Sequence, residues 1–205
     1  IGAESTKPTA IPISIEKEWE LLDSFLTYIK SNIHKLKYKP LISIDTRKLQ
    51  VMQKVLEKYH DIIWMINDVE GSDIENKAIL IAKFRKKYVI THNLGIVGRR
   101  DYLTKENATD EIYDFVELKK QILLNAGVTL EDIYFDVGLG FGKDSETAKI
   151  ILSNITDMKE RLGLKTLFAH SRKPSILCLP KTATIAELEV ATKIMSSKLQ
   201  DLGID

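Results

Sequence analysis

The chain has 205 residues, 44% of them hydrophobic and 29% charged, enough for one domain with a sizeable buried core. Thirty basic against 29 acidic residues leave a formal net charge of +1, so neither a nucleic-acid footprint nor an acidic partner surface is indicated, and the pairs Lys86-Lys87 and Arg99-Arg100 read as solvated faces. A single cysteine, Cys178, excludes a disulfide framework and a cysteine-rich zinc site, and no apolar stretch reaches the ~20 residues that span a bilayer.

In chain order, the first element is the apolar run Ile1-Gly2-Ala3, which stops at Glu4-Ser5-Thr6 and passes into the loop Lys7-Pro8-Thr9-Ala10-Ile11-Pro12. Ser14 is then a helix N-cap with Glu16 and Glu18 in the first turn, and Trp19, Leu22, Phe25, Leu26, Ile29 and Ile33 follow helical spacing. Leu41-Ile42-Ser43-Ile44 is a strand that stops at Asp45-Thr46, before a helix with Val51, Met52, Val55, Leu56 and Tyr59 on one face. Ile62–Ile66 is the next strand and stops at Asn67-Asp68. Ser72 with Glu75 predicts a capping box ahead of Ala78, Ile81 and Ala82. The strand Tyr88-Val89-Ile90 stops at Thr91-His92-Asn93, and an irregular stretch over 96–107 leads to a helix from about Thr109 to Ala126, ended by Gly127. Ile133-Tyr134-Phe135 stops at Asp136, ahead of a helix over about 144–162 ended by Gly163. Leu167-Phe168-Ala169 stops at His170-Ser171-Arg172-Lys173. A last helix opens on a second capping box, Thr184 with Glu187, and ends at Gly203, and Ile204-Asp205 reads as the start of another strand.

Continuous apolar strands alternating with helices, at the ~30-residue pitch of βαβ units, are the signature of buried parallel sheet. Polar groups placed only at the C-terminal ends of those strands point to an active site on one face of a βα barrel. The expected fold is therefore α/β, a (βα)8 TIM barrel forming a single domain over residues 1–205, incomplete at both ends, lacking its first strand and most of its last. An open doubly wound sheet is the alternative.

The rim of such a barrel collects Ser5, Thr6, Asp45, Asn67, Asp68, His92, Asn93, Asp136, Ser171, Arg172 and Lys173. Carboxylates, an amide and an ammonium converging on one pocket suit a flat, nitrogen-rich heterocycle: carboxylates accept from ring N–H and amino groups, while the amide and ammonium satisfy its carbonyl and ring nitrogens. Singly, Asp45 or Asn67 reads equally well as a helix cap; six such stops in succession do not. The string Phe135-Asp136-Val137-Gly138-Leu139-Gly140-Phe141-Gly142-Lys143 places three glycines in five residues, which lets the backbone turn sharply and approach a ligand. It is not a P-loop, because Val137 stands where a glycine is required and Asp144 follows Lys143, and Lys143 occupies the third glycine position of a dinucleotide fingerprint. Ser171-Arg172-Lys173-Pro174-Ser175 offers two cations and backbone N–H groups just after a strand, a pattern that suits an anion or carboxylate. His34 and His60 sit at helix ends, His92 and His170 at strand ends facing the rim. No pair has metal-ligand spacing, and Cys178 reads as a core residue.

These strings together resemble the dihydropteroate synthase family of the pterin-binding enzymes. The resemblance rests on Gly2-Ala3-Glu4-Ser5-Thr6-Lys7-Pro8, Ser43-Ile44-Asp45-Thr46, Ile66-Asn67-Asp68-Val69, the glycine string from Asp136 to Lys143 and Ser171-Arg172-Lys173, in order along nearly the whole chain. It implies a cytoplasmic transferase of folate biosynthesis, a sulfonamide target that joins 4-aminobenzoate to 6-hydroxymethyl-7,8-dihydropterin pyrophosphate and releases pyrophosphate, with Mg2+ carried on that pyrophosphate and a homodimer as the assembly. By position it implies that Asp45, Asp136 and Lys173 are catalytic, that Asn67 joins them around the pterin with Arg172 beside it, that Thr6, Lys7, Pro8, Phe141 and Ser171 frame the aminobenzoate, and that Val69 also binds substrate. Lys7 stands where the family usually has arginine, which weakens bidentate phosphate contact, and Val137 stands where proline is usual. The family's first-strand asparagine loop and eighth-strand arginine–histidine pair fall outside the chain. The competing readings are a pterin-binding methyltransferase, which shares Asp45, Asn67 and Asp136 but does not need Ser171-Arg172-Lys173, and a catalytically inactive pterin-binding barrel.

Overall fold

The computed structural model describes residues 1–5, 10–94, 103, 107–173, 176–177, 179–180 and 182–204. Expectations for Thr6, Lys7, Pro8, Arg99, Arg100, Pro174, Ser175, Cys178 and Asp205 lie outside these residues. Five strands, β1 (Ile42–Asp45), β2 (Ile63–Asp68), β3 (Lys87–Thr91), β4 (Ile133–Asp136) and β5 (Lys165–Leu167), alternate with the helices α2 (Leu49–Tyr59), α3 (Ile74–Phe84), α4 (Ala108–Asn125) and α5 (Ser145–Leu162). Helix α1 (Ile15–Asn32) precedes β1, and α6 (Ile185–Asp201) follows β5. All four strand pairs are parallel, in the sequential order β1-β2-β3-β4-β5. Gly2 adds a parallel bridge to Asp45, and the Asp45 N–H donates to the Ile1 carbonyl at 2.7 Å, so the opening run lies as a further strand on the β1 edge. A doubly wound sheet reverses its order at a switch point. This one never does, and the chain is a partial barrel.

The pleat sorts the side chains. Ile44, Ile66, Tyr88, Ile90 and Phe135 point away from the lumen and pack with Leu22, Val55, Ala78, Ile112 and Ile151 of the helices into one core. The alternate positions Asp45, Asn67 and Asp136 therefore face the lumen, and the registers Asp45↔Asn67 and Thr91↔Asp136 keep them near one level. Helix starts follow the expected chemistry where the backbone allows it. Ser14 Oγ accepts from Lys17 N, Asp144 accepts from Thr147 N, and Thr184 with Glu187 forms a reciprocal capping box.

Three expectations need correction. The Ser72–Glu75 box does not form: Asp73 takes the N-cap position in a left-handed conformation (φ 52°), the helix begins at Ile74, and Asp73 Oδ1 accepts from the Asn76 amide at 2.7 Å instead. The last strand starts at Lys165 and is over by Leu167, since the chain leaves the β4 ladder there, and Phe168 and Ala169 lie beyond it. Asp68 does not reach the rim, because its place next to Asn67 turns it to the opposite face. There the fully buried carboxylate accepts from Lys77 Nζ (2.7 Å), Tyr88 Oη (2.5 Å) and the Glu70 and Gly71 N–H groups. This network holds β2, β3 and α3 together. Tyr88→Phe removes one donor from a buried charge, and we expect it to cost about 2 kcal/mol in a denaturant titration; wild-type stability in the variant would mean that this network does not hold the three elements together.

Candidate active site

The site is built where the strands end. Asp45 closes β1, and the Asn67 amide near the end of β2 donates to its Oδ2 at 3.4 Å. Asn67 Oδ1 is buried with no hydrogen-bond partner among the described residues, an acceptor left for something that enters the pocket. Asp136 closes β4 at 4% exposure, its Oδ1 held by the Gly138 N–H at 2.8 Å. Lys173 follows β5, and its ammonium donates to the Leu139 carbonyl at 2.5 Å and lies 5.8 Å from the centre of the Phe141 ring.

The charges of Asp45, Asp136 and Lys173 act on one another. Burial raises the pKa of Asp45 and of Asp136, and each carboxylate has a further charge pushing the same way, Asp68 and Glu18 on Asp45 and Asp45 itself on Asp136. The Gly138 N–H and the Lys173 and Lys143 charges oppose the rise at Asp136. Burial lowers the pKa of Lys173, against the pull of Asp136. A buried and a half-buried acceptor carboxylate, an open amide acceptor and a cation on one rim form a surface complementary to a planar ring that carries both donors and acceptors.

Val69 is buried beside this group, and its carbonyl accepts from the Asn93 amide at 2.6 Å. Phe141 is half-buried next to Lys173, and Ser171 is exposed in the turn after β5. Arg172 is not brought to the group formed by Asp45, Asn67, Asp136 and Lys173. It takes a left-handed conformation (φ 54°) that throws its side chain outward onto α6, where the guanidinium donates to Glu189 Oε1 at 2.6 Å and the backbone N–H to Thr192 Oγ1 at 3.0 Å. His92 is not at the rim either. Its ring is 2% exposed and packs edge-on against Phe115 at 4.8 Å, and burial, helped by the Lys143 charge, pushes its pKa down to about 3. It is a neutral packing residue, with its backbone N–H on Asp136 O. His170 is held by the Phe168 carbonyl and by Ser196 Oγ, each at 2.9 Å. Among the described residues no three His, Cys, Asp or Glu side chains gather as a metal site.

Sequence reasoning missed two things here. One is a buried clamp at the foot of the loop that leaves Glu4: the Glu4 carboxylate accepts from Arg47 Nε (2.6 Å), Lys48 Nζ (2.8 Å) and the Ile13 N–H (3.1 Å), and Lys48 also reaches Glu18 at 2.6 Å. The strand-end string Thr46-Arg47-Lys48 carries the charges for it, but no local rule pairs them with Glu4. The other is Lys143, which occupies the glycine string yet points inward at 7% exposure.

The model of the pterin-binding enzyme family matches residues 1–205. The folate synthesis bifunctional protein of Chlamydia trachomatis is 27% identical over 209 residues, covering 100% of this chain and 46% of that protein. The dihydropteroate synthase of a Synechocystis species is 30% identical over 182 residues, covering 86% of this chain and 58% of that one. The chain thus spans about half the length of the curated relatives it matches. Among solved structures, the dihydropteroate synthase of Anaplasma phagocytophilum with bound 6-hydroxymethylpterin-monophosphate superposes with a TM-score of 0.87 at 30% identity, covering 100% of this chain and 78% of that one. The Thermus thermophilus enzyme in complex with 4-aminobenzoate gives 0.80 at 26% identity, covering 99% and 74%.

Proposed function

The chain belongs to the pterin-binding enzyme family, and from that premise we propose that the protein carrying it is a dihydropteroate synthase, joining 4-aminobenzoate to 6-hydroxymethyl-7,8-dihydropterin pyrophosphate. The observation that carries this reading is the convergence of Asp45, Asn67, Asp136 and Lys173 on one rim, with Asn67 Oδ1 lacking a protein partner among the described residues. Asp45 and Asp136 accept from the amino and N–H groups of the pterin, and Lys173 donates to its carbonyl or ring-nitrogen acceptors. The methylene C–O bond breaks, and pyrophosphate leaves with the electron pair. The aniline nitrogen of 4-aminobenzoate then forms the new C–N bond and sheds a proton to solvent. Positive charge develops on the pterin methylene, and the two carboxylates are already in place to stabilise it. Phe141, Ser171 and the segment Thr6-Lys7-Pro8 frame the aminobenzoate in this reading. Mg2+ enters on the pyrophosphate, the metal's usual company, rather than in a protein cage.

We place the enzyme in the cytoplasm as a homodimer. No helix among the described residues is long and apolar enough to cross a membrane, and Ala186, Val190 and Ile194 share an exposed apolar face of α6 suited to a second copy. The test is turnover by the complete protein: labelled 4-aminobenzoate should enter dihydropteroate only when the pterin pyrophosphate is supplied, and a sulfonamide should raise the apparent KM for 4-aminobenzoate without lowering kcat. Absence of product would overturn the assignment, and non-competitive inhibition would overturn the aminobenzoate subsite.

A further inference from the structure

The sequence offers Lys143 as the end of a glycine string, and neither acceptor nor donor chemistry toward a substrate is assigned to it. Its surroundings are specific. An ammonium has three protons to donate, and this one meets three carbonyls: Phe141 O at 3.0 Å, Gly138 O at 3.1 Å and His92 O at 3.2 Å. Two of these belong to the turn after β4, and the third closes the end of β3. The two segments are pressed together at that point. A Cβ on Gly138 would sit 1.8 Å from the His92 carbonyl oxygen, and Gly138 holds φ +67°, so only glycine fits. The Gly138 carbonyl also accepts from the Phe141 N–H at 3.0 Å, but without a cation between them the three carbonyl oxygens gathered here would repel one another in a buried place. Leu139, at 0% exposure, anchors the middle of the turn in the core. What the turn then presents to the pocket is the Leu139 carbonyl, which receives the Lys173 ammonium, and the Phe141 ring beside it.

We propose that Lys143 is a positioning residue that sets the β4–α5 turn so that Leu139 O and Phe141 hold Lys173 at the rim. It touches no substrate; it acts through Lys173. The inference rests on the pterin-binding function proposed above. It also predicts a coupling that an ordinary buried lysine would not show, because losses at Lys143 and at Lys173 should not add.

The test is a double-mutant cycle on the complete protein, read as affinity for 6-hydroxymethylpterin by calorimetry, with a thermal scan of each variant. Lys143→Met should weaken binding about tenfold, a loss of ~1.4 kcal/mol, and Lys143→Gln, which keeps an amide donor, should weaken it less. Lys143→Met combined with Lys173→Met should bind no more weakly than Lys173→Met alone. Should Lys143→Met fail to fold, Lys143→Gln with Lys173→Met closes the same cycle. Wild-type affinity in the Lys143 variants, or losses that multiply in the double variant, would overturn the positioning role and leave the enzyme assignment standing. A wild-type protein that binds no pterin would remove the assignment and this inference together.

Discussion

Replacing Lys173 by alanine is expected to lower kcat/KM by about 10²–10³-fold while the protein stays folded. The magnitude is that of deleting one preorganised donor, ~3–4 kcal/mol. Lys173 supplies the cation of the pocket, placed by its bond to Leu139 O and by the Asp136 charge. In the proposed complex its loss leaves the acceptors of the pterin without that donor. The fold should tolerate the change because burial lowers the pKa of this lysine, so the folded state disfavours its charged form. Stability at neutral pH should hold or rise. Arginine should not rescue activity, since a planar fork cannot take the place of a compact ammonium on one carbonyl. Steady-state kinetics with both substrates and a thermal scan decide the matter: wild-type kcat/KM in Lys173→Ala would take Lys173 out of the site.

The barrel pattern was legible because it rests on local rules. Ile42–Asp45, Ile63–Asp68 and Ile133–Asp136 are apolar runs ended by polar residues, and each became a parallel strand, with Asp45, Asn67 and Asp136 on the lumen face. Strand ends and helix caps that depend on one or two residues were read correctly at Ser14 and Thr184 and wrongly at Ser72, where a left-handed Asp73 pre-empts the cap. The pocket was read to the level of residue type, and the pleat decided the rest. Asn67 and Asp68 are neighbours of similar chemistry, yet one faces the lumen and the other is locked against Lys77 and Tyr88. Arg172 and Lys173 are likewise adjacent cations that a single positive φ sends to different sides of the turn. The partners that fix these outcomes, Glu189, Thr192 and Leu139, are 17–34 residues away, beyond the reach of a motif.

Asp136→Asn should separate binding from stability. Asp136 Oδ1 accepts from the Gly138 N–H at 2.8 Å, and an asparagine carbonyl can keep that bond, so the turn is preserved. No hydrogen bond from a described residue reaches Oδ2, the oxygen that remains for the ligand. Asparagine replaces it with an NH2 group, turning an acceptor into a donor that confronts the N–H and amino groups of the pterin. The loss of bonds to a buried charge, ~3 kcal/mol, corresponds to about 100-fold weaker binding of 6-hydroxymethylpterin. Stability should move the other way. Burial raises the pKa of Asp136 in the folded state above the ~3.9 of an unfolded aspartate. Between those two values the folded chain binds more protons than the unfolded one, so stability falls as pH rises through that window and stays low at neutral pH. The uncharged asparagine avoids this cost, and its thermal midpoint should exceed wild type at pH 7–8, with the gap closing below about pH 4. Equal pterin affinity in the two proteins would disprove the acceptor role of Asp136. A midpoint at pH 8 below that of wild type would mean that the carboxylate is held by more than Gly138 and the nearby lysines, and that the site is less open to a ligand than Asn67 Oδ1 indicates.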